Sequence, residues 1–198
     1  MMDVSLIRIE ARMTLASALH IGAAGTAAVG AKEVPTARGG IDDMPYIPGS
    51  SIKGRMRALL ARVELREWMP HAGDPLVALF GTHGVRGALS FWDCPLDADW
   101  LTDRQAALQA VTQVRCDLQD GGRVRTREVV PAGAPFVFRL GLSMRRADGL
   151  DTVLAGLRML EWEGLGAGTS RGMGRVRFTA LRVDGQSAQE RLDRIGAD

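Results

Sequence analysis

Apolar and polar residues alternate along one long segment near the start of the chain. Every second residue from Ile7 to Leu15 is apolar, and those between are charged or carry a hydroxyl group. This period of two predicts a strand with one buried face. Residues 135–145 alternate bulky apolar side chains with shorter or polar ones, and further strands are predicted at about 88–93 and 174–183.

A helix is predicted to begin just after a pair of prolines. Pro45 and Pro48 favour extended conformations in the residues before them, so the helix is not expected to start before Gly49. Ser50 or Ser51 can then cap its first turn. Helical spacing places the apolar residues that follow on one face, and they are Ile52, Met56, Leu59, Leu60 and Val63.

A second helix is predicted from about residue 150 to residue 163. Its apolar residues share one face, namely Val153, Leu154, Leu157 and Leu160. The predicted order of elements is therefore βαββαβ, which is the order of the α+β ferredoxin-like fold that RNA-recognition modules share. Aromatic residues make up only 5% of the chain, so stacking of bases on the sheet face is not expected.

Two long segments interrupt this predicted core. Residues 22–44 and 95–127 are longer than ordinary connections, and loops of that length are usually functional or disordered. The second contains a turn signal at Asp120, followed by two glycines, which predicts a hairpin. We expect a single domain over residues 1–198 with two insertions, ending in a polar tail at 185–198.

Length, charge and cysteine content exclude several classes of protein. A chain of 198 residues can bury a core without disulfides. Cys94 and Cys116 form no closely spaced pair, so a zinc site is not expected. Neither a signal peptide nor an apolar run long enough to span a bilayer is recognisable, which predicts a soluble, cytoplasmic protein. The net charge of +2 is too small to argue for nucleic acid by itself.

The start of the first helix carries an unusual concentration of positive charge. Lys53, Arg55 and Arg57 lie in its first two turns, where cations oppose the helix dipole. A phosphate bound at the helix start would resolve this conflict. The alternative is a solvated face on an ordinary amphipathic helix.

A second candidate binding segment is a loop with five glycines at residues 164–174. Thr169, Ser170 and Arg171 lie within it. Arg171 stands where a dinucleotide fingerprint needs its third glycine, and the loop follows a helix instead of a strand, so a Rossmann site is excluded. A Walker loop is excluded because Lys53 precedes Gly54 and not the reverse. The glycines would allow a ligand to approach the backbone closely. The alternative is that they only form a turn between two elements.

Together these segments resemble the RAMP family of CRISPR-associated proteins. The resemblance is greatest to the repeated backbone subunit of type III (Csm-like) RNA-guided effector complexes, and it covers most of the chain. It rests on residues 19–22, 45–55, 79–81 with 87–93, 127–133 and 164–174. The proline-glycine-serine-serine turn and the glycine loop are specific as a pair.

The resemblance implies a subunit that polymerises along a guide crRNA. Its implied partners are complementary target RNA, copies of itself or related RAMP subunits in a filament, and the large polymerase-like and small subunits of the complex, with no membrane. The 95–127 insertion would form a thumb-like hairpin that reaches into the guide–target duplex. The implied RNA-binding residues are His20, Ser50, Ser51, Lys53, Arg55, Arg57, Arg123, Arg125, Arg127, Gly168, Ser170 and Arg171. A solvated charged loop is the alternative interpretation of the hairpin arginines.

The first insertion is where the resemblance places catalysis. Members that cleave target RNA carry an aspartate there that promotes metal-dependent cleavage, and in this sequence Glu33 takes its position. A divalent metal, Mg²⁺ or Mn²⁺, is implied only if the chain is catalytic, and its ligands are not identified. Asp42 and Asp43 are alternative acids, and Lys32 could pair with Glu33. A non-catalytic scaffold and a stand-alone guide-processing protein therefore remain open.

Overall fold

A five-stranded antiparallel sheet forms the centre of the molecule. The computed structural model describes residues 5–22, 33–34, 36–39, 43–63, 74–97, 115–120 and 123–197, with the backbone alone at 33–34, 115–120 and 123–126. The strands within this part are β1 (Leu6–Leu15), β2 (Glu33–Val34), β3 (Arg38–Gly39), β4 (Met44–Ile47), β5 (Leu89–Phe91), β6 (Cys94–Pro95), β7 (Arg115–Asp120), β8 (Arg123–Glu128), β9 (Pro135–Ser143), β10 (Val176–Val183) and β11 (Gln186–Ser187).

The strand order of the central sheet is β11-β10-β1-β9-β5. Strand β1 is the middle strand and pairs antiparallel with both β9 and β10, for example Ile9 with Leu140 and Met13 with Phe178. There are also two three-stranded sheets, of which β2-β8-β7 is built largely from the insertions and β3-β4-β6 lies mainly at their borders. The predicted α+β class is confirmed, and the antiparallel order is consistent with the ferredoxin-like fold.

Four α-helices lie in the described part of the chain. They are α1 (Gly49–Val63), α2 (Pro75–Phe80), α3 (Leu150–Glu163) and α4 (Gln189–Asp193). Helices α1 and α3 are the two predicted from sequence. Strand β9 ends at Ser143, slightly before its predicted end, because a 3-10 segment begins at Met144. No helix in these described ranges is both long and apolar enough to cross a membrane.

One hydrophobic core joins the buried face of the central sheet to α1 and α3. Phe138 of β9 and Phe178 of β10 meet edge to face with ring centroids 5.1 Å apart. Gly156 allows the two helices to approach, since a Cβ there would lie 2.8 Å from Met56 Cγ and 3.2 Å from Leu60 Cδ1. The alternation predicted for β1 corresponds to buried residues at every odd position from 7 to 15.

Several elements of the structure were not predicted. Helix α2 begins after Asp74, whose Oδ1 accepts the Leu76 amide at 2.8 Å, with Pro75 in the first turn. These are recognisable start signals. Residues 185–198, expected as a polar tail, contain β11 and α4, and Leu192 of α4 is fully buried.

Candidate nucleic-acid interface

The start of α1 is capped by the protein differently from the prediction. The Gly49 amide donates to Asp93 Oδ1 at 2.8 Å, and the Pro48 carbonyl accepts the amides of Ser51 at 2.9 Å and Ile52 at 3.3 Å. Ser50 and Ser51 therefore lie inside the first turn, and the prediction that one of them caps it is wrong. Because most of the terminal amides have protein acceptors, side chains are the principal groups left here for an anion.

Two of the three predicted cations at this helix start hold other parts of the chain. Arg55 Nε donates to the Gly164 carbonyl at 3.0 Å, and its Nη2 to the Glu163 carbonyl at 3.2 Å. Arg57 Nη1 donates to the Gly81 carbonyl at 3.0 Å. Lys53, partly exposed, has no hydrogen bond or ion pair with any described residue, so its charge is available to a ligand.

The contact between Arg55 and Gly164 joins the two candidate segments. It holds the start of the glycine loop against the second turn of α1, so that the two segments are in direct contact. The loop also docks on the segment that follows β1. Ala167 N donates to the His20 carbonyl at 3.0 Å, and Gly174 N donates to the Ala18 carbonyl at 2.8 Å. This placement could not be derived from either segment alone.

Different glycines in the loop have different roles. Gly174, with φ of 72°, is buried, and an added Cβ would collide with the Leu165 carbonyl oxygen. Gly168, with φ of 81°, begins the 3-10 turn Thr169–Arg171, and a Cβ there would lie 2.8 Å from Met173 Sδ. Gly172 ends this turn with the same φ but faces open space.

The exposed tip of the loop is the part that can meet a ligand. Ser170, Arg171 and Gly172 are exposed, and Arg171 has no side-chain partner among the described residues. The other glycines shape the loop, which supports the structural interpretation for them. Ser170 and Arg171 remain candidates for contact with RNA.

His20 lies below the surface. It is 3% exposed, and its Nδ1 lies 2.7 Å from the Glu128 carbonyl oxygen. Burial lowers the pKa of the ring below its ordinary value, although the carbonyl contact acts in the opposite direction. The neutral ring can donate through Nδ1. His20 therefore connects the segment after β1 to the end of β8, and it does not present a positive charge to RNA.

The Glu128 carboxylate organises the first insertion. Its Oε1 pairs with Arg38 Nη2 at 2.6 Å, and its Oε2 accepts the Thr36 amide at 3.1 Å. Arg38 also donates from Nη1 to the Asp43 carbonyl at 3.3 Å. Sequence analysis missed this role of Arg38 and Glu128, since charge patterning alone does not identify partners 90 residues apart.

The predicted hairpin is present, and the candidate catalytic segment pairs with it. Strands β7 and β8 are antiparallel with Asp120 opposite Arg123. The short strand β2 runs parallel to β8, with Glu33 opposite Thr126 and Val34 opposite Arg127. The structure therefore brings the two insertions together, and it places the backbone of Glu33 beside a strand that carries arginine at three alternate positions.

Other predictions for this region have different outcomes. Lys32 and Asp42 lie outside the described residues. Asp43 is exposed and adopts a positive φ of 52°. Within the described part, no three His, Cys, Asp or Glu side chains form a group that could hold a metal ion. The need for Mg²⁺ or Mn²⁺ stays a prediction that applies only if Glu33 is catalytic.

We expect Glu128→Gln to loosen the first insertion while leaving the fold intact. Glutamine keeps an acceptor for the Thr36 amide but loses the ion pair with Arg38, in which both side chains are mostly buried. The free energy of unfolding should fall by about 1–2 kcal/mol, and hydrogen exchange should accelerate at residues 36–39. Glu10→Gln is the control, because its pair with Arg139 at 3.8 Å is exposed and should contribute little. Equal exchange in both variants would contradict the organising role.

The chain has recognisable relatives among known proteins. A family model described as the RAMP superfamily matches residues 12–177. The CRISPR system Cms endoribonuclease Csm3 of Streptococcus thermophilus is 31% identical, over 92% of this chain and 91% of that protein. The protein of the same name from Mycobacterium tuberculosis is 29% identical, over 89% and 88% respectively.

Solved structures show the same fold. A chain in the crystal structure of the Csm3-Csm4 subcomplex of the type III-A CRISPR-Cas interference complex matches with a TM-score of 0.57 and 22% identity, over 89% of this chain and 76% of that one. A chain in the cryo-EM structure of the type III-B Cmr-beta complex bound to cognate target RNA matches with a TM-score of 0.64 and 16% identity, over 90% and 60%.

Proposed function

Because this chain belongs to the RAMP superfamily and is related to the Csm3 proteins, we propose that it is a guide-RNA-binding backbone subunit of a type III CRISPR effector complex. The observation that carries the proposal is the contact of Arg55 with Gly164, which unites the start of α1 and the glycine loop in one surface. Lys53, Ser170 and Arg171 are accessible on those two segments.

The proposed binding mode reads the RNA backbone and not its sequence. A cation and hydroxyl groups on a rigid surface contact phosphate oxygens, and such contacts position a nucleic acid without distinguishing bases. Base pairing between guide and target would supply specificity, as in other RNA-guided proteins. His20, Arg55 and Arg57 act here as positioning residues, because their contacts are within the chain.

The solved complexes of the relatives support a proposed assembly. One related chain is found in a Csm3-Csm4 subcomplex, and another in a complex bound to cognate target RNA. We extend this to copies of this chain or related RAMP subunits along one crRNA, with the large polymerase-like and small subunits and the complementary target RNA as further partners.

Cleavage of the target RNA is the enzymatic form of the proposal. In this reaction the 2′-oxygen of the target forms a bond to the adjacent phosphorus, the bond to the 5′-oxygen breaks, and the proton passes from the 2′-hydroxyl to that leaving oxygen. The products are a 2′,3′-cyclic phosphate and a 5′-hydroxyl, and no water is consumed. Arg123, Arg125 and Arg127 of the hairpin would hold the target strand beside Glu33.

Glu33 is the residue we assign to a divalent cation. A bound Mg²⁺ or Mn²⁺ would stabilise the charge that develops on the phosphate. In this proposal the Glu33 carboxylate would hold the metal together with RNA phosphate oxygens. The alternative is a scaffold subunit that positions guide and target without cleaving them. The Glu33 side chain favours this alternative, because it is one methylene longer than the aspartate of cleaving members.

Lys53→Ala should weaken binding of guide RNA and reduce its salt dependence. For single-stranded RNA, the slope of log K against log salt concentration should become shallower by about 0.7 for each phosphate that the protein no longer neutralises. The change should be the same for guides of unrelated sequence, and fluorescence anisotropy over a salt series measures it. Arg62→Ala is the matched control, since Arg62 lies on the same helix but contacts Glu163 at 3.9 Å near the other end. An unchanged slope in Lys53→Ala would mean that α1 presents only a solvated face.

A further inference from the structure

A basic cleft lies beside α1 in a place that the sequence analysis left unassigned. Its volume is about 500 Å³, and it is lined by Lys53 and Arg57 of α1 and by His83 and Arg86 of the turn that follows α2. Among the described residues, no aspartate or glutamate lines it. Uncompensated cations that converge on one cleft repel one another, and a bound anion would remove that repulsion.

The turn that carries His83 and Arg86 is held by backbone hydrogen bonds. Thr82 and Val85 exchange two bonds of 3.0 Å across its tip, where Gly84 has a φ of 79°. Arg57 donates to the Gly81 carbonyl at 3.0 Å and so holds the turn against α1. The backbone of the turn that carries Arg86 is thus held in place, which lowers the entropic cost of binding a ligand.

A second cleft continues from the first along the β5 edge of the central sheet. Its volume is about 720 Å³, it shares Arg86, Gly87 and Ser90 with the first cleft, and it extends to Arg145 and Arg146. None of its described lining residues is acidic. Arg146 Nε forms an ion pair with Asp148 Oδ1 at 3.6 Å, a distance too long for a hydrogen bond.

The separation of charge along this edge points to an external partner. The chain contains 23 acidic and 25 basic residues, so acids for pairing are plentiful, yet neither cleft has one in its described lining. Arg86 is exposed and has no ion pair or hydrogen bond with a described residue. Arginine binds phosphate through a planar fork of donors, which suits a repeating anionic backbone.

We propose that this edge, from Lys53 through Arg86 to Arg145, carries the phosphodiester backbone of single-stranded RNA beyond the α1 site. Arg86 bridges the two clefts, and His83 donates to a phosphate oxygen on the α1 side. The inference rests on the proposed function, because it extends the guide-binding surface. It assigns to the protein a longer stretch of RNA than α1 and the glycine loop can contact.

The test compares RNA of two lengths bound to the full chain. Lengths of about 4 and about 8 nucleotides fall within the range that one small domain contacts. The wild type should bind the longer RNA roughly tenfold more tightly, and Arg86→Ala should lose that gain while binding the shorter RNA normally. Arg86→Lys should recover part of the gain, because charge is retained without the fork. Arg182→Ala is the control, since Arg182 is exposed on β10, away from the β5 edge.

The outcomes separate this inference from the proposal on which it rests. If the wild type binds RNA in a Lys53-dependent way and Arg86→Ala keeps the length gain, the inference is wrong and the proposed function stands. If the wild type binds neither RNA, both are wrong. If Arg86→Ala impairs association between subunits in the absence of RNA and leaves RNA binding unchanged, the edge binds an acidic protein surface and the inference is overturned.

Discussion

Glu33→Ala is expected to abolish any cleavage of bound target RNA by the assembled complex while leaving target binding unchanged. Removal of the carboxylate should reduce the rate of cleavage by at least about a hundredfold, because the reacting atoms need accurate placement. Cleavage should require Mg²⁺ or Mn²⁺ and should stop on chelation. Mapping of labelled target fragments measures both the rate and the cyclic phosphate ends.

Glu33→Asp tests the length of the side chain separately from its charge. The position of Glu33 resembles one at which cleaving members of the family carry aspartate, so the shorter carboxylate should preserve or raise the rate. Asp43→Asn tests an alternative acid in the same insertion and should leave cleavage unchanged if Glu33 is the catalytic carboxylate. Undiminished cleavage by Glu33→Ala would exclude this residue and favour Asp42 or Asp43. No cleavage by the wild type or by Glu33→Asp would favour the scaffold.

Gly174→Ala is expected to destabilise the protein much more than Gly172→Ala. Both glycines have a positive φ, 72° and 81°, which costs other residues about 1–2 kcal/mol. Only at Gly174 would the added Cβ also collide with a backbone carbonyl, that of Leu165. The expected loss in free energy of unfolding is about 3–5 kcal/mol for Gly174→Ala.

Thermal unfolding followed by circular dichroism measures this difference. For a domain of this size, Tm falls by roughly 2–4 °C for each kcal/mol, so Gly174→Ala should melt at least about 6 °C below the wild type. Gly172→Ala should melt closer to the wild type, roughly 2–8 °C below it, because it carries the cost of the positive φ without the collision. Equal melting temperatures in the two variants would contradict the structural role of Gly174.

The regular elements could be predicted because their signals are local. Alternation identified β1 and β9, and helical spacing identified α1 and α3, since each pattern reports the burial of one face. The hairpin after Asp120 followed from its turn residues. Helix α2 was missed although Asp74 and Pro75 mark its start, because six residues give too short a pattern for periodicity.

The candidate site was less predictable because its contacts are tertiary. Sequence placed Lys53, Arg55 and Arg57 together, but only the structure distinguishes the free lysine from two arginines held by distant carbonyls. In the same way, the burial of His20 and the pairing of Glu128 with Arg38 depend on segments far apart in sequence. Charge patterns identify candidate residues, whereas hydrogen bonds and ion pairs within the fold determine which of them remain available to a ligand.

The position of β1 in the middle of the central sheet has a consequence for synthesis of the chain. Both neighbours of this first long strand come from the second half of the sequence, β9 at Pro135–Ser143 and β10 at Val176–Val183. On the ribosome, the apolar face of β1 must therefore wait until residues 176–183 are made before its second neighbour is present. Such distant pairing slows folding and leaves strand edges unpaired until then.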